Sequence, residues 1–304
     1  MLTIITGGTG FIGSGLRERL RAAGHDVVVL TRRANAGAES QGQRVQYVQW
    51  DGRTADGWAS CADGAHAIVN LAGASIAGRR WTPPYKETIL RSRLNAGEAV
   101  VEAVASAREK PAVLVQASAV GYYGSRGEED LDEASPPGEG FLADVCRAWE
   151  ASTAAVEEMG VRRIIVRSGS VLGAAGGAFP RLVKPFRLFA GGPLGGGRQW
   201  FPWIHYADEI AAIASLVADP AANGFYNLCA PEAIRNKDFS RALGRTLRRP
   251  WWWPVPAFAL RALYGDMADA LLLASAKVKP GRLRAGGFEY EYPNAEVALR
   301  QLVA

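Results

Sequence analysis

The chain has 304 residues, 48% of them hydrophobic and 21% charged, with a net charge of +5 at pH 7. This is an ordinary globular composition for one large or two modest domains. The basic residues are scattered, which argues against a nucleic-acid surface, and no apolar run reaches membrane-spanning length. Three distant cysteines, Cys61, Cys146 and Cys229, favour reduced thiols. We therefore expect a cytoplasmic monomer or homodimer that acts on a small molecule, with no membrane partner.

The chain opens with a short apolar run from Leu2 to Ile5 that stops at a glycine cluster and passes directly into a helical pattern. In this context Gly7 allows a sharp turn, Gly10 lets the backbone approach a pyrophosphate, and Gly13 lets the helix pack closely on the strand. The N-terminal end of the helix would face the phosphates. An ordinary strand-to-helix turn is the alternative, but the position favours dinucleotide binding. The residues assigned to the cofactor here are Gly7, Thr9, Gly10, Phe11, Ile12 and Gly13.

The second predicted strand begins at Asp26 and runs to Leu30, and the next residues are Thr31, Arg32 and Arg33. Chains that bind NAD usually place Asp or Glu here to hold the ribose 2′-hydroxyl. A guanidinium instead pairs with a 2′-phosphate through two parallel hydrogen bonds. Two solvated surface arginines are the alternative. The position of Arg32 and Arg33 predicts NADP(H) as the cofactor.

Strands and helices continue to alternate beyond this point. Further strands are predicted at residues 45–50, 67–73, 112–117 and 163–167, with helices at 84–107 and 141–159. Continuous apolar strands separated by helices predict an α/β fold with a doubly wound parallel sheet, as in Rossmann domains. Ligands of such sheets bind beyond the carboxyl ends of the strands. We therefore add to the cofactor site the residues Asp51, Leu71, Ala72, Gly73 and Ser118.

The character of the sequence changes after about residue 170. Glycine-rich segments at 173–177 and 191–197 bracket an apolar helix predicted around 182–189. Neither segment follows a strand and opens a helix in the manner of a nucleotide-binding turn, so we interpret them as turns or a mobile lid over the substrate. The aromatic run Trp251–Trp253 precedes an amphipathic helix predicted at 258–274. Packing onto the main sheet is favoured over membrane contact for this run.

Two domains follow from this change. Residues 1–170 are predicted to form the NADP(H)-binding Rossmann domain, to which sheet elements can return up to about residue 230. Residues 171–304 are predicted to form a smaller substrate lobe and C-terminal domain.

Several ordered segments resemble one family over nearly the whole chain. They are TGGTGFIG (6–13), NLAG (70–73), SAVGYYG (118–124), FPWIH (201–205) with Asp208, YNLCAPE (226–232), and RPWWWPVPAFALR with the downstream GGFEYEYP. The chain resembles the epimerase-like branch of the extended short-chain dehydrogenase/reductase superfamily, whose members carry a C-terminal domain of unknown function. The resemblance implies bound NADP(H), a C-terminal substrate lobe, and an oxidoreductase or nucleotide-sugar epimerase; some members are called cell-division inhibitors.

The catalytic pair that the resemblance implies is absent from this chain. The superfamily uses Tyr-x-x-x-Lys in the helix after the fifth strand, where tyrosinate transfers the proton and lysine lowers its pKa and holds the nicotinamide ribose. No tyrosine here has a lysine four residues later. Alignment on Glu150 places Leu142 at the tyrosine position and Cys146 at the lysine position. We interpret Cys146 as an inert buried thiol rather than a replacement nucleophile.

Ser118 and Tyr123 remain as candidate catalytic residues. The superfamily expects a hydroxyl residue four positions before Tyr123, but that position is Ala119, preceded by Ser118. Ser118 would orient a substrate oxygen, and Tyr123 offers the nearest phenol, although no lysine is predicted to lower its pKa. We give Tyr123 mainly a role in shaping the pocket.

Three further residues are candidates for the substrate side. Arg79 and Arg80 would clamp an anionic substrate, or form a solvated basic loop. His205 would act as a general acid or base, or serve a structural role. No metal site is predicted.

Two functions stay open at this point. One is an NADP(H)-dependent oxidoreductase or epimerase with a non-standard acid–base group. The other is a non-catalytic NADP(H)-binding sensor or interaction protein, for example in cell division. The missing Tyr/Lys pair favours the second function, whereas the retention of a substrate lobe favours the first.

Overall fold

A computed structural model describes residues 1–33 and 44–304. The strands, numbered in chain order, are β1 Leu2–Thr6, β2 Asp26–Thr31, β3 Val45–Gln49, β4 Ala67–Asn70, β5 Val113–Ala119, β6 Asp130–Leu131, β7 Arg162–Ser168, β8 Ser170–Gly173, β9 Gly176–Gly177, β10 Trp203–His205, β11 Gly224–Leu228 and β12 Lys277–Val278. Seven of them form a parallel sheet in the order β11-β7-β5-β4-β1-β2-β3. The predicted doubly wound α/β fold is confirmed.

The helices in chain order are α1 Phe11–Ala22, α2 Pro83–Ser106, α3 Phe141–Ala151, α4 Phe179–Arg187, α5 Tyr206–Ala218, α6 Asn236–Leu247, α7 Ala257–Tyr264, α8 Gly281–Ala285 and α9 Ala295–Val303. Short 3₁₀ turns occupy Ala59–Ala62, Val120–Tyr123 and Ala154–Val156, and a π-helical turn spans Ala268–Leu272. The start of α2 is set locally. The Thr82 hydroxyl accepts a hydrogen bond from the Tyr85 N–H, and Pro83 occupies the first helical position, where no N–H is needed.

Apolar residues on both faces of the strands build two cores. Because side chains alternate along a strand, Ile5, Val29 and Val69 face one side, where they pack with α1 and α5. Their neighbours Ile4 and Ile68 face the other side, where they pack with α2. Burial on both faces explains why these strands read as continuous apolar runs instead of alternating patterns.

Two predicted helices are shorter than expected. The helix predicted at 141–159 ends at Ala151, because the following residues turn inward and bring Val156 into the core beneath α2. The helix predicted at 258–274 ends at Tyr264. Gly265 has a φ of +60°, a left-handed backbone that stops the helix, and the chain resumes in the π-helical turn.

The C-terminal lobe contains a smaller sheet of β10, β8 and β9, with a core formed by α4, α6 and α9. Segment 173–177 forms a turn, one of the two interpretations that the sequence favoured. It is the β8–β9 hairpin, and α4 begins two residues after it. Segment 191–197 forms a turn, in which the Gly195 N–H donates to the Val255 carbonyl at 2.8 Å.

The aromatic run does not pack as one unit. Trp251 is half-buried in the core of the C-terminal lobe, where the Arg241 guanidinium lies 5.2 Å from its ring centroid. Trp252 and Trp253 are 63% and 65% exposed, so the expected packing onto the main sheet is wrong for them. No helix in the described part of the chain has the length and apolar character needed to cross a membrane.

Candidate cofactor and substrate crevice

The glycine turn between β1 and α1 is tightly closed. Gly7 has a φ of +67°, and its carbonyl accepts from the Gly10 N–H at 2.9 Å. A Cβ on Gly13 would lie 2.4 Å from the Gly7 carbonyl oxygen and 2.7 Å from the Gly8 Cα. Gly10 caps α1 without a side chain, so the N–H groups of the first helical turn keep no side-chain acceptor. The turn therefore has the shape and the donors that suit a phosphate group.

Phe11 links this turn to the C-terminal lobe. Its ring stacks on Tyr206 with 4.5 Å between centroids, and the Tyr206 hydroxyl donates to the Phe11 carbonyl at 3.1 Å. Gly173 and Gly176 lie so close that a Cβ on either would fall within 2.6 Å of the ring. The ring of Phe11 is therefore packed against the C-terminal lobe, and the backbone of Phe11 is the part of this residue that can contact a ligand. Sequence reasoning missed Tyr206, which directly follows the FPWIH motif.

Arg32 and Arg33 lie exposed at the carboxyl end of β2. The Arg33 N–H donates to the Thr31 hydroxyl at 3.2 Å, which fixes the backbone there. The Arg32 side chain runs beside Gly52, since a Cβ on that glycine would be 3.7 Å from its Cδ. Both arginines therefore lie at the end of β2, as the sequence predicted.

Asp51, at the end of β3, organises its own turn. Its carboxylate accepts from the N–H groups of Thr54 at 2.9 Å and Arg53 at 2.7 Å. These backbone hydrogen bonds hold the pKa of Asp51 below its ordinary value. The residue remains exposed and directly precedes Gly52, beside which the Arg32 side chain runs.

A buried ladder of polar side chains joins the ends of β1 and β4 to Gln116 in the middle of β5. The Thr6 hydroxyl donates to Asn70 at 2.6 Å and accepts from the N–H groups of Leu71 and Ala72 at 3.1 and 3.2 Å. Asn70 in turn donates to Gln116 at 2.8 Å. This ladder was not predicted. It holds Leu71–Gly73 directly against the glycine turn, where a Cβ on Gly7 would lie 3.0 Å from the Leu71 carbonyl.

Ser118 and Tyr123 belong to one buried hydrogen-bond network. Ser118 donates to Glu150 at 2.6 Å, and Glu150 receives two hydrogen bonds from Arg167, at 2.8 and 2.9 Å. Arg167 also donates to the Tyr123 hydroxyl at 3.1 Å, which donates to Asn227 at 2.7 Å. Burial raises the pKa of Tyr123 to about 12. Both hydroxyls are therefore used inside the protein, and Tyr123 holds its proton firmly.

Leu142 and Cys146 of α3 face the end of β5. A Cβ on Gly121 would lie 3.3 Å from the Leu142 Cβ and 3.9 Å from the Cys146 Sγ. The thiol lies 3.6 Å from the Ala119 carbonyl, and burial raises its pKa to about 11. A protonated buried thiol is a poor nucleophile. These two positions thus present neither a phenol nor an ammonium to the crevice.

Arg79 and Arg80 are exposed in the loop after β4. Arg80 reaches the C-terminal lobe, where its Nε would be 3.5 Å from a Cβ on Gly265. The same loop carries Trp81, which packs edge-on against Phe141 with 5.0 Å between centroids. Trp81 and Phe141 pack with apolar residues of α3 and of the segment around the π-helical turn in one cluster, which we call the apolar wall.

His205 is placed in the packing of the C-terminal lobe. Its Nδ1 accepts from the Ala207 N–H at 3.2 Å, which caps α5, and its Nε2 lies 3.0 Å from the Gln301 Oε1. Its ring packs on Tyr292, with 3.7 Å between centroids. Burial lowers the pKa of His205. A neutral ring protonated on Nε2 satisfies both contacts, as expected for a structural histidine. Among residues 1–33 and 44–304, no three His, Cys, Asp or Glu side chains form a metal site.

Glu209 on α5 is a fully buried acid behind the end of β7. Its Oε1 accepts from the Ser168 hydroxyl at 2.6 Å, and its Oε2 has no partner among the described residues. Burial raises the pKa of Glu209 from 4.5 to about 8. The folded protein therefore keeps this carboxyl protonated at neutral pH.

This raised pKa predicts a pH-dependent stability. Between pH 4.5 and about 8 the folded chain holds a proton that the unfolded chain has lost, so the free energy of unfolding should fall as pH rises. Glu209→Gln should remove that part of the slope. Urea unfolding at pH values between about 5 and about 8 would measure it. The exposed Glu158→Gln is the control and should keep the original slope; an identical slope in Glu209→Gln would contradict the assignment.

Comparison with known proteins agrees with this architecture. A family model described as the NAD dependent epimerase/dehydratase family matches residues 3–229, and a model for a domain of unknown function, DUF1731, matches residues 255–302. The chain is 41% identical over 305 residues to the epimerase family protein SDR39U1 homolog, chloroplastic, of Arabidopsis thaliana, covering 100% of this chain and 87% of that protein.

Two further relatives match over nearly their whole length. The epimerase family protein YfhF of Bacillus subtilis is 38% identical over 303 residues, covering 99% of this chain and 97% of that protein. A crystal structure of the human epimerase family protein SDR39U1 with NADPH has a TM-score of 0.87 and 32% identity, covering 99% of each chain. The resemblance carried by the sequence motifs is confirmed: the chain belongs to the NAD-dependent epimerase/dehydratase family, with a DUF1731 domain after the Rossmann sheet.

Proposed function

We propose that this chain binds NADP(H) across the carboxyl ends of β1, β2, β4 and β5 and transfers hydride between the nicotinamide and a small-molecule substrate. The observation that carries the proposal is the glycine turn packed against Leu71 and Ala72, with Arg32 and Arg33 directly after β2, where chains that bind NAD usually place Asp or Glu. The human relative crystallised with NADPH supports the choice of cofactor. The substrate would lie beside α3, against the apolar wall that contains Trp81 and Phe141.

The cofactor would be held along its length by separate parts of the crevice. The glycine turn would hold the pyrophosphate, and Arg32 and Arg33 would bind the 2′-phosphate. Asp51 would line the site on the adenine side. The residues proposed to contact the cofactor are Gly7, Thr9, Gly10, Phe11, Ile12, Gly13, Arg32, Arg33, Asp51, Leu71, Ala72, Gly73 and Ser118. Arg79 and Arg80 would meet an anionic substrate at the outer edge.

Arg32→Asp tests the cofactor assignment. The change removes a charge-assisted contact and adds repulsion, so NADPH affinity should fall by about 1.5–3 kcal/mol, or roughly 10- to 150-fold. NADH affinity should stay the same or rise. Titration of intrinsic or nicotinamide fluorescence measures both ligands. Arg19→Asp makes the same charge change at an exposed position of α1, towards the helix end away from the crevice, and should leave both affinities unchanged. Equal NADPH and NADH affinities in the unmodified protein would contradict the assignment.

A non-catalytic NADP(H)-binding sensor is the second candidate function. Specific observations favour it: Leu142 and Cys146 offer no proton-transfer group, and the hydroxyls of Ser118 and Tyr123 are bonded within the protein. Mixing the NADPH-loaded protein with small carbonyl compounds and sugar nucleotides, while following nicotinamide absorbance, separates the two functions. Oxidation of NADPH by one compound supports the oxidoreductase. Mass spectrometry of the small molecules that the purified protein retains would direct the choice of compounds.

A further inference from the structure

Arg93 of α2 is a buried cation without an acidic partner. The residue is 9% exposed, and its Nη1 donates to the carbonyl oxygens of Ile89 at 2.8 Å and Ala74 at 3.2 Å. No carboxylate lies within ion-pair distance of it among the described residues. Its guanidinium carbon lies 4.7 Å from the ring centroid of Trp149. The side chain is therefore held in one place, while its charge remains uncompensated.

Arg167, the other buried arginine among the described residues, shows the contrast. Arg167 is 2% exposed and receives a complete counter-charge, because two of its nitrogens donate to the two oxygens of Glu150. A buried ion without such a partner is expensive, since neither water nor an opposite charge replaces its solvation. Arg93 bears part of that cost in the chain alone, because it has two carbonyl acceptors and the Trp149 ring in place of a carboxylate. A bound ligand with oxygen acceptors would relieve it.

The position of Arg93 indicates which ligand that is. A Cβ on Gly73 would lie 3.2 Å from the Arg93 Cζ, so the guanidinium sits against the loop that follows β4. With the pyrophosphate at α1 and the 2′-phosphate at Arg32, the other half of a dinucleotide must pass over β4 and β5. Arg93 would therefore stand beside the nicotinamide half of a bound dinucleotide, on the side of β1 opposite Arg32.

We propose that Arg93 binds the nicotinamide nucleotide of NADP(H), donating charge-assisted hydrogen bonds to its ribose or phosphate oxygens. The inference rests on the proposed function, because it requires that the crevice holds a dinucleotide. It adds a contact from α2 that no sequence motif indicated. Arg93 would thereby supply a cation near the reacting ring, where α3 presents only Leu142 and Cys146.

Two ligands of different length test the contact. NADPH spans the whole crevice, whereas adenosine 2′,5′-bisphosphate occupies only the adenine side near Arg32. Arg93→Met keeps an apolar stem on Trp149 and removes the charge, so NADPH affinity should fall about 10- to 100-fold while the bisphosphate affinity stays within about twofold. Arg93→Lys keeps the charge without the planar fork, so its NADPH affinity should lie between those of the unmodified protein and of Arg93→Met. Arg32→Asp should weaken both ligands.

Thermal unfolding without ligand provides an independent readout. Since replacing an unpaired buried cation by an apolar side chain relieves its cost, Arg93→Met should keep or raise the melting temperature. Arg167→Met, the matched control, should lower it because Glu150 is left without its partner. A merely structural Arg93 would lower the melting temperature and weaken both ligands equally, which would overturn the inference.

The outcomes also separate this inference from the proposed function. If the unmodified protein binds neither ligand, the proposed function fails and the inference fails with it. If the unmodified protein binds both, and Arg93→Met changes both affinities equally or not at all, only the role of Arg93 is overturned. A selective loss of NADPH affinity supports both.

Discussion

Gly13→Ala is expected to lower NADPH affinity by at least about 100-fold and the free energy of unfolding by about 1–3 kcal/mol. The added Cβ would lie 2.4 Å from the Gly7 carbonyl oxygen and 2.7 Å from the Gly8 Cα. Both contacts are backbone atoms of the glycine turn, so the turn itself must move and its N–H groups lose their positions. Fluorescence titration with NADPH and urea unfolding measure the two effects.

Two other glycines complete this experiment. Gly196→Ala is the control, because its Cβ would meet nothing nearer than the Arg198 Nε at 3.8 Å, and both quantities should stay unchanged. Gly10→Val covers the case in which Gly13→Ala does not fold. A Cβ on Gly10 would meet only the Gly7 carbonyl oxygen, at 3.1 Å, so this variant should fold and still block the pyrophosphate. Normal NADPH binding by the folded Gly10→Val protein would refute the cofactor assignment.

Of the variants proposed here, Glu150→Ala should lower the free energy of unfolding the most, by about 3–5 kcal/mol, because it leaves the buried Arg167 without its carboxylate. Arg167 is confined between aromatic rings, 3.5 Å from the Tyr122 centroid and 4.5 Å from that of Phe225, so it cannot turn towards water. Ser118 also loses its acceptor. Chemical denaturation measures the change in the free energy of unfolding.

The control for this variant is Glu157→Ala. Glu157 pairs with Arg163 at 2.8 Å, but its side chain is 53% exposed, so its loss should cost less than about 1 kcal/mol. The double variant Glu150→Leu/Arg167→Met removes both charges and should recover much of the loss. A Glu150→Ala protein as stable as Glu157→Ala would show that the pair is not buried in solution.

The sheet could be predicted from the sequence because its strands are buried on both faces. Continuous apolar runs such as residues 67–69 can be identified without any knowledge of their neighbours. Helix ends were less accessible. Ending α7 at Tyr264 depends on a positive φ at Gly265, and ending α3 at Ala151 depends on how the next residues enter the core. The exposure of Trp252 also follows from tertiary packing, which hydrophobicity alone does not reveal.

The candidate site was predictable where function depends on local backbone shape, as in the glycine turn. It was not predictable where polar partners come from distant parts of the chain. Tyr123 was the nearest phenol to the expected nicotinamide, yet its hydroxyl bonds to Asn227 on the edge strand β11. Arg93 looked like one of many scattered arginines, because only the fold shows that it is buried against Gly73 without an acid.

The packing of Phe11 against Tyr206 sets an order of events during synthesis of the chain. The glycine turn is synthesised before Tyr206, the residue that stacks on Phe11 and lies 195 positions further along the chain. At about 5–20 residues per second, the nascent turn waits roughly 10–40 s for its support. Once it has been made, β7 likewise remains an open sheet edge until β11, which follows Tyr206 in the chain, pairs with it. The packing around the glycine turn is therefore complete only after Tyr206 has been synthesised.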